Sequence, residues 1–132
     1  MRVNKFRLII PFLILSTISI IVLADIFDEI ALAIKSGNSR EIAKYFSARV
    51  ELKINNTENI YSKAQAELLL RDFFNENPPV SFVIKHKSSS SKGLQYVIGY
   101  LQATTGKFRT YILCKDIDNV TYIQELQFEK EN

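Results

Sequence analysis

One cysteine, Cys114, stands alone in 132 residues, which excludes a disulfide within the chain. Stability must come from a hydrophobic core, and a chain of this length buries enough apolar surface to supply it. One histidine, His86, beside that one cysteine cannot furnish a structural zinc site of the usual ligands. Only four glycines occur, at positions 37, 93, 99 and 106, too scattered to form a loop that cradles phosphate. No serine sits in a Gly-x-Ser-x-Gly elbow. The run Asp116-Ile117-Asp118-Asn119 has the acids of a calcium loop but lacks its glycine and terminal glutamate, and reads as a polar turn. Neither a cofactor nor a metal is expected, and no arrangement of residues amounts to a recognisable active site.

An excess of one charge is missing too. Seventeen Lys and Arg against fourteen Asp and Glu give +3, but Arg2, Lys5 and Arg7 precede the first acid, Asp25. Beyond them the count is fourteen against fourteen. A neutral domain with interspersed signs offers no electrostatic basis for binding nucleic acid or anionic lipid.

The long apolar run is confined to the start. Leu8 to Leu23 is interrupted only by Pro11, Ser16, Thr17 and Ser19, and it ends at Val22-Leu23-Ala24. A basic segment, an apolar segment and a small-residue exit describe a signal peptide over residues 1–24, cleaved after Ala24. The remainder, 25–132, is then a single exported domain, periplasmic or secreted. The alternative is a retained membrane anchor, but the run falls short of the ~20 residues that span a bilayer. No cysteine follows it to receive a lipid. Membrane contact is expected only through this segment, if it is uncleaved.

From Asp25 the periodicity becomes helical. Ile26, Ile30 and Ile34, with Phe27 and Ala31, form one apolar stripe closed by Gly37. Asn38 and Glu41 have capping-box spacing for a second helix through Phe46. Val50, Leu52 and Ile54 alternate with Glu51, Lys53 and Asn55 as a half-buried strand, and residues 59–61 suit a short return strand. Ser62 and Gln65 cap a third helix, Lys63 to Asn75, which ends before Pro78-Pro79. Four strands follow, over 80–87, 94–103, 107–115 and 121–129, joined by turns as an antiparallel meander. The order implies an α+β domain with helices on one face of one sheet.

Particular segments sharpen this picture. Ile34 to Asn38, Ala43-Lys44-Tyr45-Phe46, Tyr61 to Glu67 followed by Asp72-Phe73-Phe74, Ile98-Gly99-Tyr100, Gly106 to Arg109 and Leu126 to Glu129 occur in this order along the mature chain. Together they resemble the family called domain of unknown function 4783, with Tyr61 to Glu67 the most specific piece. The resemblance implies a small exported bacterial protein with a nuclear-transport-factor-2-like cone. In that fold, three helices pack on a curved antiparallel sheet and enclose a pocket. It implies no activity and supplies no catalytic residues.

The candidate ligand-binding residues are His86, Tyr96, Tyr100, Arg109 and Tyr111. His86 is in phase with Phe82 and Ile84, toward the core face, where an imidazole serves either as proton carrier or as a hydrogen-bonded rim residue. Tyr96 and Tyr100 share a strand face and Tyr111 lies on the next strand, which suits a ligand wall or plain cross-strand packing. Arg109 is either a carboxylate partner or a solvated strand side chain. Cys114, in an apolar run, reads as a buried thiol, with a reactive or intermolecularly paired one the alternative. Asp72 is the most plausible helix-borne acid, yet it alternates with the apolar side and is expected to face water.

The leading expectation is a noncatalytic domain binding a small apolar ligand or a protein partner. An isomerase or dehydratase working through His86 is the alternative, as is a structural module forming a homodimer through the exposed sheet face.

Overall fold

The computed structural model describes residues 25–132, so the expected leader lies outside the described residues. Asp25 accepts a hydrogen bond from the Phe27 amide and caps α1 (Ile26–Lys35), whose Phe27, Ile30, Ala33 and Ile34 are buried. Gly37, at φ 63°, turns the chain out of this helix, a conformation costly for any residue with a Cβ. Asn38 caps the short α2 (Ser39–Ala43). The second helix therefore stops before Phe46, which instead begins β1 (Phe46–Ile54). Phe46 serves the same core from an extended backbone, so its burial did not distinguish helix from strand.

A turn at Asn55, with φ 54°, leads into β2 (Thr57–Ser62). At Ser62 both halves of the capping box form, opening α3 (Lys63–Glu76). Then come β3 (Pro79–Ser89), β4 (Leu94–Ala103), β5 (Gly106–Ile117) and β6 (Val120–Lys130). Among the described residues no helix is long and apolar enough to cross a membrane.

The six strands form one sheet in the order β2-β1-β6-β5-β4-β3. The four pairs β1–β2, β3–β4, β4–β5 and β5–β6 are antiparallel, but β1 runs parallel to β6. The expectation of a wholly antiparallel sheet is corrected at this seam. Alternation along a strand fixes which side chains share a face, not the direction of the neighbour. Here the β1–β2 hairpin joins the meander through its last strand, and that closure sets the parallel sense.

Three helices cover one face, making an α+β domain. Phe46, Val50 and Leu52 from β1, Val97, Leu101 and Ala103 from β4, Phe108 and Ile112 from β5 and Ile123, Leu126 and Phe128 from β6 meet the helices there. Phe73 of α3 stacks on Phe128 at 4.7 Å between ring centres and meets Phe108 edge-on at 5.2 Å. Aromatic rings therefore fill the middle of the space between α3 and the sheet. Register shifts interrupt the ladders between Phe46 and Glu51, Pro79 and Ser81, Ile84 and His86, and Leu113 and Cys114. Such bulges bend strands and strengthen their twist.

Candidate functional site

The bulge in β3 decides where the candidate residues stand. Ile84 pairs with Gly99, but His86 pairs with Ile98, so Lys85 has no partner in the ladder. One unpaired residue reverses the alternation beyond it. His86 therefore moves to the outer, solvent-facing side of the sheet and is exposed. This corrects the expectation that it shares the inward face of Phe82 and Ile84. Lys87 takes the helix side instead, where its Nζ lies 2.9 Å from the Asp25 carboxylate and 5.8 Å from the centre of the Phe27 ring.

The other four candidates lie on that same outer face. Their core-side neighbours along the strands, Val97, Gly99, Leu101, Phe108, Thr110 and Ile112, are all buried, so Tyr96, Tyr100, Arg109 and Tyr111 alternate outward. Cross-strand register then builds two rows. One runs His86, Ile98, Tyr111, Gln127, and the next runs Val83, Tyr100, Arg109, Glu129. The Tyr96 and Tyr111 rings lie 5.9 Å apart, and Lys107 sits over the Tyr100 ring at 4.4 Å. Burial raises the Tyr111 hydroxyl above its ordinary value, with Glu125 and Tyr96 adding to the effect. The Glu129 carboxyl is held low, chiefly by its hydrogen bond from Lys53 and in smaller part by Arg109. The structure thus brings all five candidates to one face of the sheet rather than around a common cavity, and His86, on the edge strand, also borders a shallow hollow beside α1. An acid–base mechanism through His86 needs the imidazole and a phenol converging on one enclosed reacting atom. The exposed outer position gives it no such enclosure.

Shallow openings lie beside α1, one of them lined by Asp28, Ala31, Phe82 and His86, and another lies beside α3. A cleft of about 350 Å³ lies between α3 and the β1–β2 hairpin, lined by Leu52, Ile54, Leu69 and Phe73 with Tyr61, Asp72 and Glu76. None of the five candidates lines it. Asp72 is exposed, as expected, but it stands on this rim.

Another group was not foreseen. Glu51, Glu58 and Glu125, on β1, β2 and β6, bring carboxylate oxygens within 4.8 Å of one another. Glu51 lies directly across from Glu125 in the parallel ladder. Its carboxyl is raised, first by a hydrogen bond shared with Glu58, then by partial burial and the charge of Glu125. Alternation marks Glu51 and Glu125 as outward-facing, but their meeting depends on the β1–β6 seam. Cys114 is buried, and burial pushes its thiol up to about 12. It is therefore an inert core thiol.

No curated protein matches the chain. Among solved structures, a protein of Bacteroides uniformis is 28% identical, with 82% of this chain and 99% of that one covered at a TM-score of 0.78. One from Bacteroides ovatus is also 28% identical, covering 79% and 94% at 0.75. Both are DUF4783 family proteins. A protein named "Rd1NTF2_04 with long sheet" is 15% identical, covering 77% and 94% at 0.64, a likeness of fold. The profile of the family described as Domain of unknown function (DUF4783) matches residues 27–129, from the first turn of α1 almost to the end of β6. Since that match spans all three helices and all six strands, the chain belongs to the DUF4783 family.

Proposed function

We propose that this is a noncatalytic interaction domain that works through the open face of its sheet, and that the occupant of that face is a second copy of the chain. The observation that carries the reading is the joined patch of Val83, Tyr96, Ile98, Tyr100, Tyr111 and Leu113 on the face that no helix covers. Val83 and Tyr96 keep 47% and 37% of their surface exposed. A contiguous apolar patch rimmed by polar residues marks an interaction site. Tyrosines suit it, since they supply apolar area with a polar tip at small entropic cost.

Area and charge favour self-association. Six strands of six to twelve residues, spaced about 4.8 Å apart, present a face on the order of 900 Å², room for the ~800 Å² each partner buries in a stable complex. Glu51, Glu58 and Glu125 flank the patch on the β1, β2 and β6 side, whereas β3 and β4 contain no acid and β3 carries Lys85 and His86. A two-fold axis along the strands near Tyr111 lays the acidic flank of one copy over the basic flank of the other. The reading adopts the cone of the nuclear-transport-factor-2-like fold, and it places the domain outside the cytoplasm on the leader of residues 1–24.

One experiment tests both parts. Intact mass of the chain recovered from expressing cells is expected to show a start at Asp25, and sedimentation is expected to show a dimer at micromolar concentration. Tyr111→Glu removes a central aromatic, a loss on the order of 2 kcal/mol, or about thirtyfold in dissociation constant, with unchanged circular dichroism. A wild-type chain that stays monomeric near millimolar concentration refutes the dimer.

A further inference from the structure

The cleft beside α3 has a composition that the helix alone does not explain. Its floor is apolar: Leu52 and Phe73 are buried, and Ile54 and Leu69 are half-buried. Its rim carries Asp72 and Glu76, one helical turn apart, and no basic side chain lines it. Like charges at that spacing repel along a helix. Glu76 also closes the last turn of α3, the negative end of the helix dipole, where cations are favoured and no basic residue stands. Among the described residues neither carboxylate has an ion pair or a side-chain hydrogen bond. Local choices that oppose the helix at the edge of a cavity are where a binding role is expected.

Both side-chain amides that line the cleft are already engaged. Asn77 donates through Nδ2 to the Phe73 carbonyl and accepts at Oδ1 from the Thr105 hydroxyl. Asn55 accepts at Oδ1 from the Lys130 amide. These contacts hold the rim in place and leave Asp72 and Glu76 as its charged groups without a partner among the described residues. A volume of about 350 Å³ falls at the small end of ligand pockets.

We infer that this cleft binds a small organic cation, a protonated amine carried on an apolar body. The amine donates to Asp72 and Glu76, where charge-assisted hydrogen bonds are the strong ones. The apolar body lies on Leu52, Ile54, Leu69 and Phe73, and the Tyr61 ring closes one side. The cleft is on the helix side of the sheet, away from the face assigned above to self-association, so the two proposals stand or fall separately.

The probe is 2-phenylethylamine, titrated into the full domain while backbone amide shifts are recorded, with phenylacetate as the anionic counterpart of similar shape. Saturable shifts confined to residues around Leu52, Tyr61, Asp72 and Glu76 are expected from the amine alone. The Asp72→Asn, Glu76→Gln double variant is expected to weaken binding about tenfold or more. Equal shifts from phenylacetate overturn the proposal, as do shifts centred on Glu51, Glu58 and Glu125, or no saturable shift. The amine–carboxylate contrast is read on the wild-type chain, so it holds even if the variant folds poorly.

Discussion

Gly99→Ala tests how tightly β3 and β4 are held together. Gly99 lies buried in β4, across from Ile84 on one side and Thr110 on the other. A methyl group there meets the Val83 carbonyl oxygen at 2.7 Å and two atoms of the Phe82 ring at 2.8 and 3.2 Å. Ordinary carbon–oxygen contacts between strands begin near ~3.3 Å, so roughly half an ångström must be found. The Phe82 ring can rotate away. The carbonyl cannot, because it belongs to the β3 backbone two residues before the unpaired Lys85, so the strands must part locally. Overpacking of this kind costs about 1–3 kcal/mol. Taking ~2 kcal/mol, and 4–8 °C per kcal/mol for a domain near this size, the melting temperature falls by roughly 8–16 °C. Thermal and urea unfolding followed by circular dichroism measure it. Adding Phe82→Leu is expected to leave most of the loss in place, since the carbonyl contact remains. A fall under about 2 °C with an unchanged urea slope refutes the reasoning.

Two further predictions concern titrating groups. Cys114 is expected to resist thiol reagents at pH 8 in the folded protein and to react fully after unfolding, and native labelling within minutes contradicts its burial. Because the folded thiol is raised to about 12, its share of stability is complete below the ordinary thiol value and is lost as pH climbs from there toward 12. Glu51→Gln should raise stability at neutral pH by a few tenths to about 1 kcal/mol, the scale of a like-charge pair across strands. The sign follows from the raised carboxyl: the folded state holds its proton more tightly, so repulsion grows as pH rises through that range and fades in acid. Urea unfolding at pH 4 and pH 7.5 checks it, and an equal gain at both values argues against the acidic trio as its source.

The first and third helices were legible because their signals are local. The stripe of α1 lies within ten residues, and the capping box that opens α3 needs only Ser62 and Gln65. The strand β4 is similarly readable, bounded by Gly93 with φ 72° and by the turn at Thr104 to Gly106. What failed was whatever depended on a neighbour. The parallel β1–β6 seam joins residues more than seventy positions apart, and no period within either strand encodes its direction.

The candidate site shows the same division at finer grain. That Tyr96 and Tyr100 share a face follows from alternation alone. Which face it is does not, because β4 is apolar on both sides, with Val97, Gly99 and Leu101 opposite Tyr96, Ile98 and Tyr100. Gly99 breaks the tie. The Phe82 ring and the β3 backbone approach that position too closely for a side chain, so the residue without one faces the helices and the tyrosines are turned out. His86 then follows from the single unpaired Lys85, which carries it across the sheet and sends Lys87 to Asp25 in its place. The outer aromatic face and its basic flank thus have one origin, the close fit of β3 against β4 around Gly99 and the bulge beside it. That origin ties the stability experiment to the functional one: Gly99→Ala, which forces these strands apart, should weaken self-association as well as the fold, even though Gly99 itself never reaches the outer surface.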